Sequence, residues 1–459
     1  MSKRVYLNAF DMNCIGHQSP GLWTHPEDQS DRYKDIDYWV ELAQLLEEGK
    51  FDGLFLADVV GVYDVYEGKP DAAIANAVQV PVNDPLLIIS AMAHATKHLG
   101  FGVTYALTYE YPYMLAHRLS TLDHITKGRV SWNIVTSYLN SAAKSFGLTK
   151  QIAHDERYNI AEEFVDVCYK LWEGSWEDDA VVNDKERRIY ADPSKVHPVE
   201  HKGKYFNVQG IHLNEPSPQR TPVLFQAGTS TKGRAFAAKH AECIFLNGLS
   251  PEIVASSVKK IREEANNQGR SEEDIKIFTI FTPIVGETEE QAQAKYEDLK
   301  KYISYEGALA LLGGWTGIDF SKYDPDQELE YIETDAIQSV LEGYTKANPN
   351  KKWTVREIAI ETGIGGFGPV AVGTPEQIAD EMENWIRTTG IDGFNIAYAL
   401  APGTMKDFIT YVVPILQERG LVQADYKAGT YREKLFGDGK NKLPENHPGS
   451  QYQIKKSLV

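Results

Sequence analysis

Eight times along this 459-residue chain a short run of β-branched and aromatic residues gives way to a helical pattern. The runs fall at residues 4–10, 51–57, 99–107, 129–137, 222–228, 242–247, 275–285 and 391–400. Each has the composition of a buried strand. The intervening segments carry helix signals. Ile36, Trp39, Val40, Ala43 and Leu46 recur at three and four before a stop at Gly49. Asp84-Pro85 and Ser250-Pro251 are caps, and Thr288–Gln291 and Thr374–Gln377 read as capping boxes. Strands separated by helices pair in parallel through right-handed crossovers. Eight such units close most simply into a (β/α)8 TIM barrel. The runner-up is an open doubly wound sheet, whose switch-point crevice has no mark in the chain. Two long polar stretches, 174–220 after strand four and 301–372 before strand eight, read as insertions. One barrel domain then spans 1–420. Residues 421–459 form an arm laid over the surface or over a partner subunit.

In a barrel the ligand-binding groups collect at the carboxyl ends of the strands, where loops vary over a rigid floor. The stretch 127–158 is the clearest instance, an apolar strand stopping at Thr136-Ser137-Tyr138. Cys14 and His17 follow strand one, and Asp58, Tyr63 and Gln79 follow strand two. Thr104 lies on strand three, and Gly228-Thr229-Ser230 follow strand five. Any one of these residues alone has a structural explanation, such as a cap or a packed side chain. Their shared position is what marks them. Residues 227–234, AGTSTKGR, open a helix with glycine and small hydroxyls, which suits an anion. A plain Ser/Thr cap accounts for the same residues equally well.

Several classes are excluded. The net charge of −18, with no long basic run, argues against nucleic acid. Three scattered cysteines suit a reducing cytoplasm, and neither a signal peptide nor a membrane span is expected. Gly363-x-Gly365-x-x-Gly368 fits a dinucleotide pattern, but Pro369 stands where a helix should open, so a mobile loop is the better reading. His197–His201 has the spacing of a zinc motif, but Pro198 denies it a helix, so no metal is expected. Cys168 and Cys243 read as buried thiols. With neither a nucleophile–base pair nor paired carboxylates at the strand ends, a bound cofactor is left to supply the reactivity.

Longer stretches then resemble a known family. LNAFDMNCIGHQSPGLWTHP (7–26), FDGLFLADVVGVYDVY (51–66), VPVNDPL (80–86), RLSTLDHITKGRVSWNIVTSYLNSAA (118–143), HDERY (154–158), EPSPQRTPVLFQAG (215–228) and YREKLFG (431–437) are similar to the bacterial-luciferase-like, flavin-dependent monooxygenases. The branch is that of the nitrilotriacetate, EDTA and dibenzothiophene-sulfone enzymes. GGWTGIDF (313–320) and KKWTVRE (351–357) place the chain nearest the dimethyl-sulfide and long-chain alkane members. The resemblance implies FMN, used as FMNH2 supplied by a separate NADH-dependent flavin reductase, with O2 as co-substrate and a flavin C4a-hydroperoxide as oxidant. It implies flavin binding by Asp58, Thr104, Thr136, Ser137, His154, Tyr158, Gly228, Thr229 and Ser230, the phosphate falling to His154, Tyr158 and Ser230. Catalytic roles then fall to His17 and Tyr63, and substrate contacts to Cys14, Gln79 and Tyr138. A homodimer or homotetramer is expected. The mouth has too few cationic residues for a polycarboxylate, so a small thioether such as dimethyl sulfide is favoured, with an alkane or another organosulfur compound as the alternative. Rival classes are a deazaflavin-dependent oxidoreductase, a flavin-holding protein without turnover and a metal-dependent barrel hydrolase.

Overall fold

The computed structural model describes residues 4–228, 230–328 and 352–454. All eight expected strands form: β1 (Tyr6–Met12), β2 (Gly53–Ala57), β3 (Gly100–Ala106), β4 (Val130–Val135), β5 (Val223–Gln226), β6 (Cys243–Leu246), β7 (Lys276–Val285) and β8 (Gly393–Ile396). Each pairs in parallel with its sequence neighbours, and β8 returns to β1 with Tyr6 opposite Gly393 and Ala9 opposite Ile396. The barrel is closed, and the open-sheet alternative falls.

Period-two alternation builds two separate cores. Leu7, Ala9, Leu54, Leu56, Phe101, Val103, Trp132 and Ile134 face outward, where they pack on helices such as Ile36–Glu48 and His154–Gly174. Tyr6, Phe10, Phe55, Phe225, Phe245 and Phe278 face inward and fill the bore. The bore is a packed floor, as the rings of Phe10, Phe55 and Phe245 interlock edge to face.

Caps end the helices largely where their side chains dictate. Thr374 and Gln377 form the expected reciprocal box. At Thr288 only half of it forms: Thr288 caps Gln291 N–H, while the Gln291 amide accepts from Glu287 N–H instead. The first insertion folds into two antiparallel hairpins, Val181–Asp184 with Ile189–Ala191 and Val199–Lys202 with Asn207–Gly210. His197 bonds Glu177, and His201 lies between Glu163 and Lys170. Among the described residues no three metal-ligating side chains converge, and no helix is long and apolar enough to cross a membrane.

Two segments differ from expectation. The arm is not merely laid on the surface. Its helix Tyr431–Phe436 closes the amino end of the barrel, with Tyr431 and Leu435 in the bore cluster. Gly53 and Gly100 make room for it: a Cβ on Gly100 would lie 2.6 Å from the Tyr431 ring. The fully buried Arg432 guanidinium forks onto Glu242 at 2.7 and 2.9 Å and also donates to the carbonyls of Gln219, Thr221 and Asn441. The glycine-rich 363–368 segment is not an exposed loop either. It is buried throughout, its Gly365 N–H donating to Ser19 Oγ at 3.0 Å. Gly365 and Gly366 take φ of +76° and +65°, which glycine permits at no steric cost.

Candidate active site

The loops after β1 and β2 are zipped together above the bore by a bridge between Cys14 and Val82 and by Asn83 N–H bonding to Asn13 C=O. This brings Cys14, His17, Tyr63 and Gln79 into one layer, with Tyr138 reaching in from β4. The Gln79 amide donates through Nε2 to the His17 backbone carbonyl at 2.9 Å. Its Oε1 therefore faces the Tyr63 hydroxyl 2.8 Å away, and Tyr63 must donate to it. With the Tyr63 proton spent, Tyr138, 2.9 Å from the same oxygen, must itself be a donor. Trp315, from the second insertion, brings its indole N–H, which can only donate, to the Tyr63 side of this layer, where it lowers the phenol's pKa against burial. A single backbone carbonyl thus sets the direction of a chain running Tyr138 to Tyr63 to Gln79 to His17. Tyr138 turns lone pairs, not a proton, toward any further partner.

His17 stands edge-on over Phe10, ring centroids 4.6 Å apart, and so rests on the bore floor. Burial lowers its pKa to about 3, so the ring is neutral at ordinary pH. Gln18 Nε2 lies 3.2 Å from its Nε2 as a donor, which places the ring proton on Nδ1. That Nδ1 is buried with no hydrogen-bond partner among the described residues. Burial raises the Cys14 thiol well above its usual range, leaving it a neutral thiol bonded to Gly16 C=O. The Tyr138 phenol is held up at about 12 for the same reason. Gln79 and Ser137 take φ of +51° and +54°, costly conformations for residues with a Cβ and typical of functional sites.

On the β3–β4 side, Thr104 Oγ1 accepts from Asn133 Nδ2 at 2.9 Å, and Asn133 Oδ1 has no hydrogen-bond partner among the described residues. Asp58, at the end of β2, is pushed up to about 7 by burial, with the nearby Asp84 charge adding to the rise. At the β5 corner a polar cluster gathers at two helix N-termini. Ser230 Oγ caps Thr231–His240 by accepting from Gly233 N–H at 3.0 Å and lies 3.2 Å from His154 Nε2, at the first residue of His154–Gly174. The buried Tyr158 hydroxyl lies beside the polar groups of Gln226, Ser230 and Thr136, which lower its pKa against burial. Gly228 and Gly233 are crowded together beneath it: a Cβ on Gly233 would sit 2.7 Å from Tyr158 Oη. Thr229, also expected here, lies outside the described residues.

Of the expected residues that are described, the structure therefore brings Cys14, His17, Tyr63, Gln79 and Tyr138 into one layer and His154, Tyr158, Ser230, Gly228 and Thr136 into a second cluster. Asn133, Gln226, Gln18 and Trp315 were not anticipated. Asn133 and Gln226 each carry a legible signal, an amide within an otherwise apolar strand. Hydroxyl and imidazole groups at helix N-termini fit a phosphate. An orphaned N–H and an orphaned amide carbonyl above the bore fit a ring with hydrogen-bonding edges. Together these groups fit a flavin mononucleotide.

A family model described as luciferase-like monooxygenase matches residues 10–393. The chain belongs to the luciferase-like monooxygenases. It is 55% identical over 453 residues to the dimethyl-sulfide monooxygenase of Hyphomicrobium sulfonivorans, covering 99% of this chain and 94% of that one. It is 53% identical over 459 residues to the long-chain alkane monooxygenase of Geobacillus thermodenitrificans, covering both chains fully. A solved riboflavin lyase holding modified FMN and riboflavin superposes with a TM-score of 0.92 at 37% identity, over 99% of this chain and 100% of that one. As a luciferase-like monooxygenase the protein is an oxidoreductase, and its family indicates flavin dependence.

Proposed function

We propose that this luciferase-like monooxygenase takes FMNH2 from a separate NADH-dependent reductase and uses O2 to oxygenate a small neutral thioether, dimethyl sulfide being the best candidate. The observation that carries the substrate class is the chemistry of the mouth. His17 and Cys14 are neutral, Tyr63, Tyr138 and Gln79 are uncharged, and Asp58 is acidic. Such a site has no cationic partner for a carboxylate substrate and excludes charge rather than inviting it. Bound reduced flavin supplies the two electrons that let O2 give one oxygen atom to the substrate and the other to water. His154, Tyr158 and Ser230 would hold its phosphate, with Gly228 and Thr229 assigned to the same flavin-binding set. Asp58, Thr104, Thr136 and Ser137 would line its ring.

The remaining steps belong to this chain's own side chains. His17 offers an Nδ1 proton without becoming a cation. Tyr63 holds Gln79 and Tyr138 in register, and Tyr138, its proton given to Tyr63, presents lone pairs to the substrate. Cys14, Gln79 and Tyr138 contact the substrate. The second insertion keeps water out: Ala308–Leu312, Trp315 and Phe367 pack in one apolar cluster with Tyr63, Val78 and Leu139. Assembly as a homodimer or homotetramer, with transient contact to the reductase, completes the proposal. The test supplies purified protein with FMN, NADH and a flavin reductase, and measures product from dimethyl sulfide and from a long-chain alkane. Thioether turnover is expected. Alkane turnover without thioether turnover would overturn the substrate class, and failure of FMNH2 to saturate the protein would overturn the cofactor.

A further inference from the structure

The helix Tyr305–Thr316 of the second insertion is capped by Ser304 at one end and by Gly317, with φ of +75°, at the other. All but its first two residues are buried. It nevertheless carries two successive glycines, Gly313 and Gly314, in its last turns. Each costs a helix roughly 1 kcal/mol relative to alanine, so both positions need a reason from packing. At Gly314 the reason is severe. A Cβ there would lie 1.8 Å from Tyr63 Cδ1, 2.5 Å from Cε1 and 2.7 Å from Cγ. The ring therefore lies directly on bare helix backbone. The next residue, Trp315, brings its indole N–H beside the Tyr63 hydroxyl.

The same insertion grips the other end of the polar chain. A Cβ on Gly366 would lie 2.1 Å from Gln18 Oε1 and 3.1 Å from the Trp315 ring. Gln18 is the residue whose amide faces His17 Nε2. Backbone without side chains thus meets the chain at Tyr63 and again beside His17, with the Trp315 indole wedged between the two contacts.

We propose that Gly314 and Trp315 are positioning residues: Gly314 seats the Tyr63 ring flat on the lid helix, and Trp315 pins its hydroxyl, so that Tyr63 stays between Tyr138 and Gln79. The catalytic consequence rests on the flavin reading above, whereas the geometric one does not. The seating of this helix is thereby coupled to assembly of the catalytic layer, because the helix supplies the surface on which the Tyr63 ring rests and, in Trp315, an N–H beside its hydroxyl. Any side chain at 314 either moves the Tyr63 ring or lifts the helix.

The first readout needs no flavin. In a crystal structure of Gly314→Ala, Tyr63 Oη is expected to lie beyond 3.5 Å, roughly the outer limit of a hydrogen bond, from Gln79 Oε1. Tyr63 in place with the chain intact would overturn the proposal. The second readout is kinetic. Gly314→Ala is expected to lower kcat at least about tenfold and raise the hydrogen peroxide released per NADH, with FMN affinity within about twofold of wild type. In a Tyr63→Ala background, where the ring is gone, Gly314→Ala should cost less than about threefold more. An equal loss in both backgrounds would show that Gly314 does not act through Tyr63. Trp315→Phe keeps the ring volume and deletes the N–H, so it does not depend on the alanine variant folding. It is expected to lower kcat about tenfold with KM within about threefold. Unchanged kcat and coupling in Trp315→Phe would overturn its part. Should wild type itself fail to bind reduced flavin, the flavin reading falls, and the crystallographic readout still decides the position of Tyr63.

Discussion

Replacing Tyr158 by Phe isolates the phosphate end of the proposed flavin site. The substitution removes one hydroxyl and keeps the ring, which packs against His154 at 5.2 Å and Phe236 at 5.7 Å, so the helix stays seated. The hydroxyl is buried beside Ser230, Gln226 and Thr136, three groups that can re-pair or turn to solvent when it leaves. Its contribution to a bound phosphate is then that of one hydrogen bond to a charged group, about 1.5–3 kcal/mol. At 1.4 kcal/mol per decade this weakens FMN binding about 10–150-fold. Ser230→Ala should lose a bond of the same size. It should also lower helix stability by about 1 kcal/mol, because Ser230 Oγ caps Gly233 N–H. The assay is quenching of flavin fluorescence, run in parallel with FMN and with riboflavin, which has the same ring and no phosphate. Both variants should bind riboflavin as wild type does, within about twofold, so the wild-type preference for FMN shrinks by the full factor. Equal weakening toward FMN and riboflavin would refute the reasoning, since the phosphate would then lie elsewhere.

Two further outcomes follow from buried charge. Arg432→Met leaves the buried Glu242 carboxyl without its ion-pair partner at the base of the barrel, and should cost about 3–5 kcal/mol in urea unfolding. A loss below about 1 kcal/mol would mean that the pair is dispensable, and Arg432→Met/Glu242→Leu should recover much of the loss. Asp11, buried at the end of β1, is raised from 3.8 to about 7 mainly by burial, against bonds from Met12 N–H and Tyr398. Its folded pKa lies above its unfolded one, so the stability it contributes is present below pH 4 and lost as pH rises to 7. The gain from Asp11→Asn should therefore widen between those limits to at most about 4 kcal/mol and then level off. A gap that stays flat with pH would show that Asp11 is not held protonated.

The barrel was legible because its signals are local. Alternation of Tyr6, Asn8 and Phe10 with Leu7 and Ala9 is written within seven residues, and the Thr374 box within four. Strand-end positions followed from that count, which is how His17, Asp58, Tyr138 and Ser230 could be placed together before any contact was seen. Other features had no such signal. The pattern at Gly363–Gly368 marks close approach of backbone to Ser19, Gln18 and Ile280, each far away in the chain. The arm's plugging role depends on Gly53 and Gly100, two positions that look unremarkable within their own strands.

By itself, then, the sequence determined the ring of eight strands, the position of its two insertions and the end of the barrel to which its candidate site residues would be brought. Strand and helix periods are properties of neighbouring residues, and burial acts on them one segment at a time. Only the tertiary structure decided that Tyr63 would give its proton to Gln79, that His17 Nδ1 would meet no partner among the described residues, and that a bare glycine helix would be pressed on the Tyr63 ring. A hydrogen bond or a close contact between residues far apart in sequence depends on the paths of the loops that carry them, and a loop's path is set by what it packs against.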